Sequence, residues 1–415
     1  MTLQDIPMVF ILGGLVFYVA LSGPDFGAAI WQATAGRDEH GRRLRDLAHD
    51  AMAPVWEANH VWLIFVLTIM WTSYPVAFGS IASTLGIALF VAGVGIIVRG
   101  AAYALRSGTR TAAEQRRVDV ASALSSVLTP FALGAAIGGV ASGRVPVGNA
   151  AGNLWTSWLN PTSIVIGAIA VATSAYLAAV FLSADAVQLG QPRGLAEDMR
   201  RRALGSGLLA GALAAGGLIV LHEDAHRIYD GLIFGRGLAA LIVSGLAGAA
   251  TLGLVVARRY EPARYSAAVA VAAVVIGWGL AQEPVILPGL TIDEAAAGRN
   301  TLWAVIIAVI GGGLIVFPSM ALLFRLTLGG ALRGPGGTAM TAADEKPTPH
   351  VVLAASAQGL LVRVALACLV VGFGFLTVLE PSWAHAIGIA ALAGFLITGF
   401  LAVLPDDLVG AAPER

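Results

Sequence analysis

The chain has 415 residues, of which 57% are hydrophobic and 12% are charged, and its mean hydropathy is +0.81. A soluble domain has about 25% charged residues, so this composition excludes an ordinary soluble globular protein. The formal net charge is zero, which gives no indication of a nucleic-acid partner. The single cysteine, Cys368, excludes an internal disulfide and a thiolate metal cluster. Residues 1–7 contain Asp5 but no lysine or arginine, so no cleavable signal peptide is expected.

Eleven apolar stretches have the length of a membrane-spanning helix, which is about 20 residues. They fall near residues 8–35, 52–71, 76–105, 119–141, 162–187, 204–221, 237–257, 266–282, 301–324, 351–378 and 384–404. Several exceed one bilayer thickness, which predicts tilted or extended helices. The sequence therefore predicts an all-α integral membrane protein with about eleven transmembrane helices.

The distribution of arginine and lysine predicts the orientation, because these residues collect in cytoplasmic connections. The odd-numbered connections contain Arg37, Arg42, Arg43 and Arg45; Arg106, Arg110, Arg116 and Arg117; Arg193, Arg200, Arg201 and Arg202; Arg258, Arg259 and Arg264; and Arg325, Arg333 and Lys346. The even-numbered connections contain Arg144, Arg227, Arg236 and Arg299. We therefore predict an N-terminus outside the membrane and a C-terminus in the cytoplasm.

A short internal repeat predicts the organisation of the helices. The first apolar stretch ends in Leu21-Ser22-Gly23-Pro24-Asp25 and the fifth in Leu182-Ser183-Ala184-Asp185, and an arginine-rich loop follows each. Two parallel four-helix units, 1–145 and 146–285, explain this repeat, although so short a match also arises by chance. A ninth, peripheral helix would follow at 286–328, then a Gly/Pro-rich cytoplasmic linker at 329–350 and two additional helices at 351–415.

Ionisable residues within the apolar stretches need a partner or a function, because each costs about 2.5–3.5 kcal/mol on insertion. They are Asp25, Glu57, His60, Arg99, Asp185 and Arg363. At a rise of about 1.5 Å per residue, the carboxylates and Arg99 fall in the cytoplasmic half of the membrane. Two interpretations stay open: a polar track that carries protons inward, or a structural ion pair of Arg99 with Asp25 or Glu57. Arg363 is interpreted as a residue that reaches the interface or pairs with the linker.

The segment His222-Glu223-Asp224-Ala225-His226 matches the H-E-x-x-H pattern of zinc hydrolases. A catalytic zinc needs a third protein ligand, and no other motif supplies an obvious one. The segment lies at the outer end of the sixth stretch, so a polar helix end that faces water is the alternative. Aromatic residues at the predicted outer ends are typical of an interfacial belt: Trp71, Tyr74, Trp155, Trp158 and Trp383.

Two motifs carry a family resemblance. The segment Gly23-Pro24-Asp25-Phe26-Gly27 is followed by an arginine-rich loop and then by Ala53–Leu63, which reads APVWEANHVWL. Together they resemble subunit II of cytochrome bd-type quinol oxidases, which has a Gly-Phe-Asp-x-Gly element and then Ala-Pro-x-Trp-[Asp/Glu]-x-Asn-[Gln/His]-Val-Trp-Leu. The similarity extends through Arg99 with Tyr103, through Leu159-Asn160-Pro161 and through Pro284–Arg325. It covers about residues 5–328.

The resemblance implies a non-catalytic subunit of an oxidase in the bacterial cytoplasmic membrane. Such complexes oxidise quinol on the outer side and reduce dioxygen to water with protons taken from the cytoplasm, without pumping. Two haems b and one haem d belong to subunit I, so this chain would bind none and would stabilise its haem-bearing partner. The expected partners also include a small single-helix accessory subunit. The resemblance leaves open whether a quinone is bound structurally in this chain.

The resemblance also implies roles for individual residues. Glu57 matches the acidic residue of the proton route, and Asp25 matches the carboxylate of the Gly-Phe-Asp element, with His60 beside them and Arg99 as their charge partner. Trp62, with its neighbour Trp56, matches an oxygen route. Ser22 stands where many members have an acid, so the route here would run through water, Glu57 and Asp25.

The last two predicted helices exceed the nine-helix plan of the family. They are interpreted either as a peripheral appendage or as a built-in replacement for the small accessory subunit. Two other functional classes are also considered for the whole chain. A secondary transporter predicts helices that break at matching places in both halves. An intramembrane zinc protease predicts zinc bound by His222 and His226.

Overall fold

The computed structural model describes residues 2–36, 38–52, 56–106, 112–328, 357–378 and 381–403. The helices are α1 (Ile6–Ala33), α2 (Glu39–Met52), α3 (Trp56–Ser73), α4 (Pro75–Thr84), α5 (Gly86–Arg106), α6 (Ala112–Ala141), α7 (Pro161–Gln188), α8 (Arg193–Asp224), α9 (His226–Ile233), α10 (Leu238–Val256), α11 (Tyr260–Gln282), α12 (Ile292–Ala295), α13 (Arg299–Leu328), α14 (Ala357–Val378) and α15 (Ser382–Val403). The predicted all-helical class is confirmed.

Seven helices in the described ranges are long and apolar enough to cross a membrane, and a bent pair makes up to eight. The chain divides into two compact units, Met1–Ala321 and Leu322–Arg415. The two predicted four-helix segments, 1–145 and 146–285, lie together in the first unit. The count of eleven spans and the proposed duplication remain predictions.

Helix α1 lies at the centre of the first unit, where it contacts α2, α3, α6, α7 and α11. Its closest approach is to α7, at Gly27. A Cβ atom on Gly27 would lie 1.9 Å from the carbonyl oxygen of Ser174 and 2.6 Å from the Cβ of Ala178. Since lipid provides no hydrophobic force between helices, small residues that allow such close backbone contact are a main source of packing energy in membranes.

The third predicted span, 76–105, is not one helix, which corrects the sequence-based prediction. It breaks at Leu85 into α4 and α5, which are bent by 80°. The ten residues of α4 extend about 15 Å, roughly half of the hydrocarbon core. The connection after α6 is bound to α4, because Gly148 and Ala150 donate backbone hydrogen bonds to Ser80 Oγ (2.9 Å) and Ser83 Oγ (2.8 Å).

The arginine-rich connection after α1 contains a helix, α2, where the sequence was interpreted as a loop. Leu44, Leu47 and Ala48 follow the i, i+3, i+4 spacing of an apolar helix face. All three are buried against the ends of α1, α7 and α8. Arg42, Arg43 and Arg45 lie next to these apolar positions in the sequence of α2. The short helix covers one end of the bundle.

Polar contacts at that end join odd-numbered connections to one another. Arg202 Nη1 donates to Thr34 Oγ1 (2.9 Å), His40 lies 3.5 Å from Asp198, and the fifth and seventh connections meet through an ion pair of 3.3 Å. The even-numbered connections meet at the opposite end, where Arg227 Nη1 donates to the carbonyl of Gln282 (3.1 Å). The predicted topology requires this grouping, because it places all odd-numbered connections on one side of the membrane and all even-numbered ones on the other.

A small two-stranded sheet lies at the even-numbered end. Strands β1 (Val285–Leu287) and β2 (Leu290–Thr291) are antiparallel, and Gly289 in their turn has a φ of +76°, a conformation that favours glycine. Thr291 then caps α12 in a reciprocal pair with Glu294. Hydrogen bonding to Thr291 lowers the pKa of the Glu294 carboxyl.

After the end of α13, the described residues of the second unit form a helical hairpin of α14 and α15. Glycines allow its close packing: a Cβ on Gly372 would lie 2.7 Å from the side chain of Leu392, and one on Gly394 would lie 3.3 Å from Cys368 Sγ. Arg363 is exposed on α14, about 9 Å from the first residue of that helix along its axis. Its role stays a prediction. The linker 329–350 lies outside the described residues.

We predict that Gly27→Ala destabilises the first unit, because the new methyl group forces α1 and α7 apart. Overpacking of this kind costs roughly 1–3 kcal/mol. Gly13→Ala on the same helix is the matched control, since a Cβ there has no atom within 4 Å. The measurement is the thermal unfolding midpoint of both variants in mild detergent. Equal midpoints would show that the α1–α7 contact adapts without strain.

Candidate functional site

A buried ion pair joins Asp25 on α1 to Arg99 on α5. Arg99 Nη2 donates to Asp25 Oδ1 at 2.5 Å, Nε donates to Oδ2 at 3.1 Å, and Nη2 also donates to the carbonyl oxygen of Asp25 at 2.8 Å. The side chains are only 2% and 3% exposed. One of the two structural ion pairs that the sequence allowed, Arg99 with Asp25, is therefore present.

Two serines of α6 complete the coordination of Arg99. Its Nη1 atom donates to Ser126 Oγ at 2.8 Å and to Ser122 Oγ at 3.2 Å. The two serines are one turn apart, so they present their hydroxyls to the same guanidinium. Arg99, which is on α5, thus binds groups on two other helices, α1 and α6.

Helix α3 borders this pair on another side. Asn59, which is fully buried, donates from Nδ2 to the carbonyl of Leu21 at 3.1 Å and so fixes α3 against α1. The ring of Phe26 lies between two of the predicted site residues: its centroid is 5.7 Å from the guanidinium carbon of Arg99 and 6.2 Å from the His60 ring. His60 also lies 6.2 Å from the ring of Tyr18.

The remaining predicted site residues are only partly within the described structure. Trp56 and Glu57 are in the first turn of α3, but their side chains lie outside the described residues. Ser22 is buried, and its hydroxyl donates to the backbone carbonyl of Tyr18. The Trp62 ring stacks on that of Phe17, at 4.5 Å between centroids and 20° between planes.

Asp185, the carboxylate of the second repeat, also binds an arginine, Arg264 on α11. The same guanidinium donates to the carbonyl of Phe181 at 2.9 Å. The two side chains are 23% and 18% exposed, so this pair is more accessible than the first. A serine precedes the carboxylate in both repeats, and its hydroxyl donates to the backbone carbonyl four residues earlier. Ser183 donates to the carbonyl of Ala179 at 2.7 Å, as Ser22 does to that of Tyr18.

The H-E-x-x-H segment does not have the geometry of a zinc site. Helix α8 ends at Asp224 and α9 begins at His226, so the two histidines are not on one continuous helix. Asp224 instead accepts hydrogen bonds from Arg144 (2.5 and 2.9 Å) and from Thr162 Oγ1 (2.6 Å). The bonds to Asp224 raise the pKa of the Arg144 guanidinium. Among the residues that the structure describes, no group of three His, Cys, Asp or Glu side chains could hold a metal.

Sequence reasoning missed four residues of the site: Tyr18, Asn59, Ser122 and Ser126. None of them carries a charge, so none stands out by the cost of insertion into lipid. The available signal was the spacing of serines on α6, at positions 122, 125 and 126, which places hydroxyls on one face of an apolar helix. Asn59 is also within the motif that carried the resemblance.

Comparisons with known proteins agree with one another. A family model described as cytochrome bd terminal oxidase subunit II matches residues 3–327. A Bacillus subtilis (strain 168) protein, provisionally described as a cytochrome bd menaquinol oxidase subunit II, is 24% identical over 251 residues, which are 58% of this chain and 70% of that protein. A chain of the solved bd oxidase from Geobacillus thermodenitrificans has a TM-score of 0.66 and 25% identity, and the match covers 79% of this chain and 99% of that chain.

The matched residues include the first compact unit from residue 3 onward, and with it the Asp25–Arg99 pair and helix α3. The family resemblance that the two sequence motifs predicted is confirmed. The chain belongs to the cytochrome bd terminal oxidase subunit II family.

Proposed function

We propose that this chain is the haem-free subunit of a quinol oxidase complex that reduces dioxygen to water, and that the haems b and d are bound by its partner, subunit I. The observation that carries this proposal is the family match over residues 3–327. In this complex the chain stabilises the haem-bearing subunit and contributes a proton route from the cytoplasm. Quinol and dioxygen react in the partner, so we assign no catalytic residue to this chain.

The proposed proton route uses Glu57 as the group that takes up and releases the proton. The closed geometry around Asp25 supports this choice, because both of its carboxylate oxygens accept hydrogen bonds from Arg99. A carboxylate held in this way is better suited to be a fixed countercharge than a group that takes up and releases protons. His60 and Ser22 line the route beside it, and the polar cluster lies in the half of the bundle near the odd-numbered connections.

The outer face of α3 is the proposed contact with subunit I. Val61, Ile64, Leu67 and Trp71 are all exposed in this chain, and their spacing places them along one side of the helix. Trp62 and Phe17 form a stacked aromatic pair at the neighbouring α1–α3 edge. Packed aromatic surfaces are common in permanent interfaces. We propose that dioxygen approaches the partner's haems past Trp62 and Trp56.

The transporter alternative requires matching breaks in the two halves. Helix α1 continues through Gly23-Pro24 and α7 continues through Ser183-Ala184, so neither helix is interrupted at its repeat. The break at Leu85 falls in the third span, whereas the corresponding helix of the second segment, α10, runs unbroken from Leu238 to Val256. This asymmetry favours a subunit over a transporter.

The first test is the visible spectrum of tagged protein purified from its native membrane in mild detergent. We expect a haem-bearing partner to co-purify, with b-type bands and a haem d band in the reduced-minus-oxidised spectrum. A well-folded, colourless protein without a partner would contradict the proposed function.

We predict that Glu57→Gln slows quinol-driven oxygen uptake about tenfold or more, because it removes a proton-transfer group. The haem spectrum should stay unchanged, since the side chain is isosteric. Glu223→Gln, at the opposite end and 77% exposed, is the matched control. Oxygen uptake is measured from pH 6 to 8. Wild-type turnover of Glu57→Gln over this range would exclude Glu57 from the route.

We predict a different result for the ion pair. Arg99→Gln should lower the yield of assembled complex, because an unpaired buried carboxylate costs roughly 3–5 kcal/mol. Adding Asp25→Asn to Arg99→Gln should recover part of this loss, since the buried charge is then removed. Thermal stability and haem content are measured for both single variants and for the double variant. Strictly additive losses would show that the two residues act independently.

A further inference from the structure

A groove of about 630 Å³ runs along the surface of the first unit. Its walls are apolar side chains of α6, α7 and α8 and of the last turns of α1. It extends along α8 from Arg202 to Leu213, which is about 16 Å at the rise of an α-helix. Small residues form its floor: Ala168, Ala172 and Ala175 on α7, and Gly205 on α8.

The groove has one cationic end. The indole nitrogen of Trp31 donates to the carbonyl of Ala175 at 2.8 Å, which fixes its ring in the wall. The guanidinium of Arg202 lies over this ring, 5.1 Å from its centroid. Arg202 Nε donates to Asp198 (3.2 Å) and Nη1 to Thr34 (2.9 Å). Its Nη2 atom has no hydrogen-bond acceptor among the residues that the structure describes, and the side chain is 21% exposed.

The other polar side chain in the groove does not compete for a ligand. Ser206 Oγ donates to the backbone carbonyl of Arg202 at 2.6 Å. The groove therefore combines a long apolar channel with an arginine at its mouth, which is paired with Asp198 through Nε and presents Nη2 to a ligand. That mouth lies at the end of the bundle where the odd-numbered, arginine-rich connections meet. Tryptophan and arginine side chains are typical of the membrane–water interface.

An apolar groove in a membrane is filled by hydrocarbon, because an empty groove loses the dispersion contacts of its lining atoms. Basic pockets between transmembrane helices on the cytoplasmic side bind the headgroups of anionic lipids. We propose that this groove binds an anionic phospholipid, with one acyl chain along Gly205 and the phosphate held by Arg202. The occupant is a lipid of the bilayer itself, and the site is independent of the proposed proton route.

Gly205→Leu tests whether an acyl chain occupies the groove. Gly205 lines the groove, and a Cβ added there has no atom within 4 Å, so the backbone leaves room for the start of a larger side chain. Gly211→Leu is the matched control, because Gly211 is on the same helix, is equally open and lies outside the groove. Arg202→Gln tests the headgroup contact, with Arg258→Gln as a control of equal charge change at the same end of the bundle.

The experiment uses the purified complex, delipidated and then titrated with phosphatidylglycerol or phosphatidylcholine, with bound lipid counted by native mass spectrometry. We expect one phosphatidylglycerol bound more tightly than phosphatidylcholine. Gly205→Leu should lose this lipid, whereas Gly211→Leu keeps it. Arg202→Gln should bind phosphatidylglycerol about tenfold more weakly, because a charge-assisted hydrogen bond is lost.

Three outcomes overturn the proposal: equal retention in Gly205→Leu and Gly211→Leu, no preference for phosphatidylglycerol in the wild type, or a quinone in place of the lipid. If Gly205→Leu fails to assemble, the comparison of Arg202→Gln with Arg258→Gln decides the question. Oxidase activity is recorded in parallel. Loss of activity without loss of the lipid would count against the proposed function of the complex and leave the lipid site unaffected.

Discussion

The arrangement of the first unit depends on how one arginine is satisfied away from water. A guanidinium has five N–H donors and cannot be neutralised in a protein. Arg99 directs its donors to the carboxylate and the carbonyl of Asp25 and to the hydroxyls of Ser122 and Ser126. These partners are on two helices other than its own, so this one side chain links α5 to both α1 and α6. The close contact of α1 with α7 at Gly27 then extends this order to the second half.

Much of this arrangement could be predicted from the cost of charge in lipid. Each ionisable residue in an apolar stretch needs a partner, and Asp25 with Arg99 was one of the two structural pairs that the sequence allowed. The choice between Asp25 and Glu57 could not be made, because it depends on the rotation of α3 relative to α1. Asn59 joins these two helices through one hydrogen bond to the carbonyl of Leu21. A neutral amide does not stand out in an apolar sequence in the way that a charged residue does.

Two features of the fold could not be predicted, and both result from long-range contacts. At the bend, α4 is bound by backbone donors at Gly148 and Ala150, more than sixty residues away. Averaged hydropathy shows only a continuous apolar stretch there, so it predicts one straight helix. In the first connection the density of arginines conceals the apolar face of α2, although Leu44 and Leu47 have helical spacing. Charge content predicts on which side a connection lies but does not exclude secondary structure within it.

The two carboxylates of the internal repeat have different surroundings, and this difference bears on function. Asp25 is almost fully buried, and its arginine joins α5 to α1 and α6, whereas Asp185 is 23% exposed and shares Arg264 with Glu261, which lies 3.5 Å away. Interaction between charges is stronger where water is excluded. The interaction within the Asp25–Arg99 pair is therefore stronger than that within the Asp185–Arg264 pair, which water screens. Only the first pair also borders α3, the helix that contains Glu57 and His60. The first carboxylate of the repeat therefore belongs to a buried pair that joins α1 to α5, whereas the second belongs to a more accessible pair that joins α7 to α11.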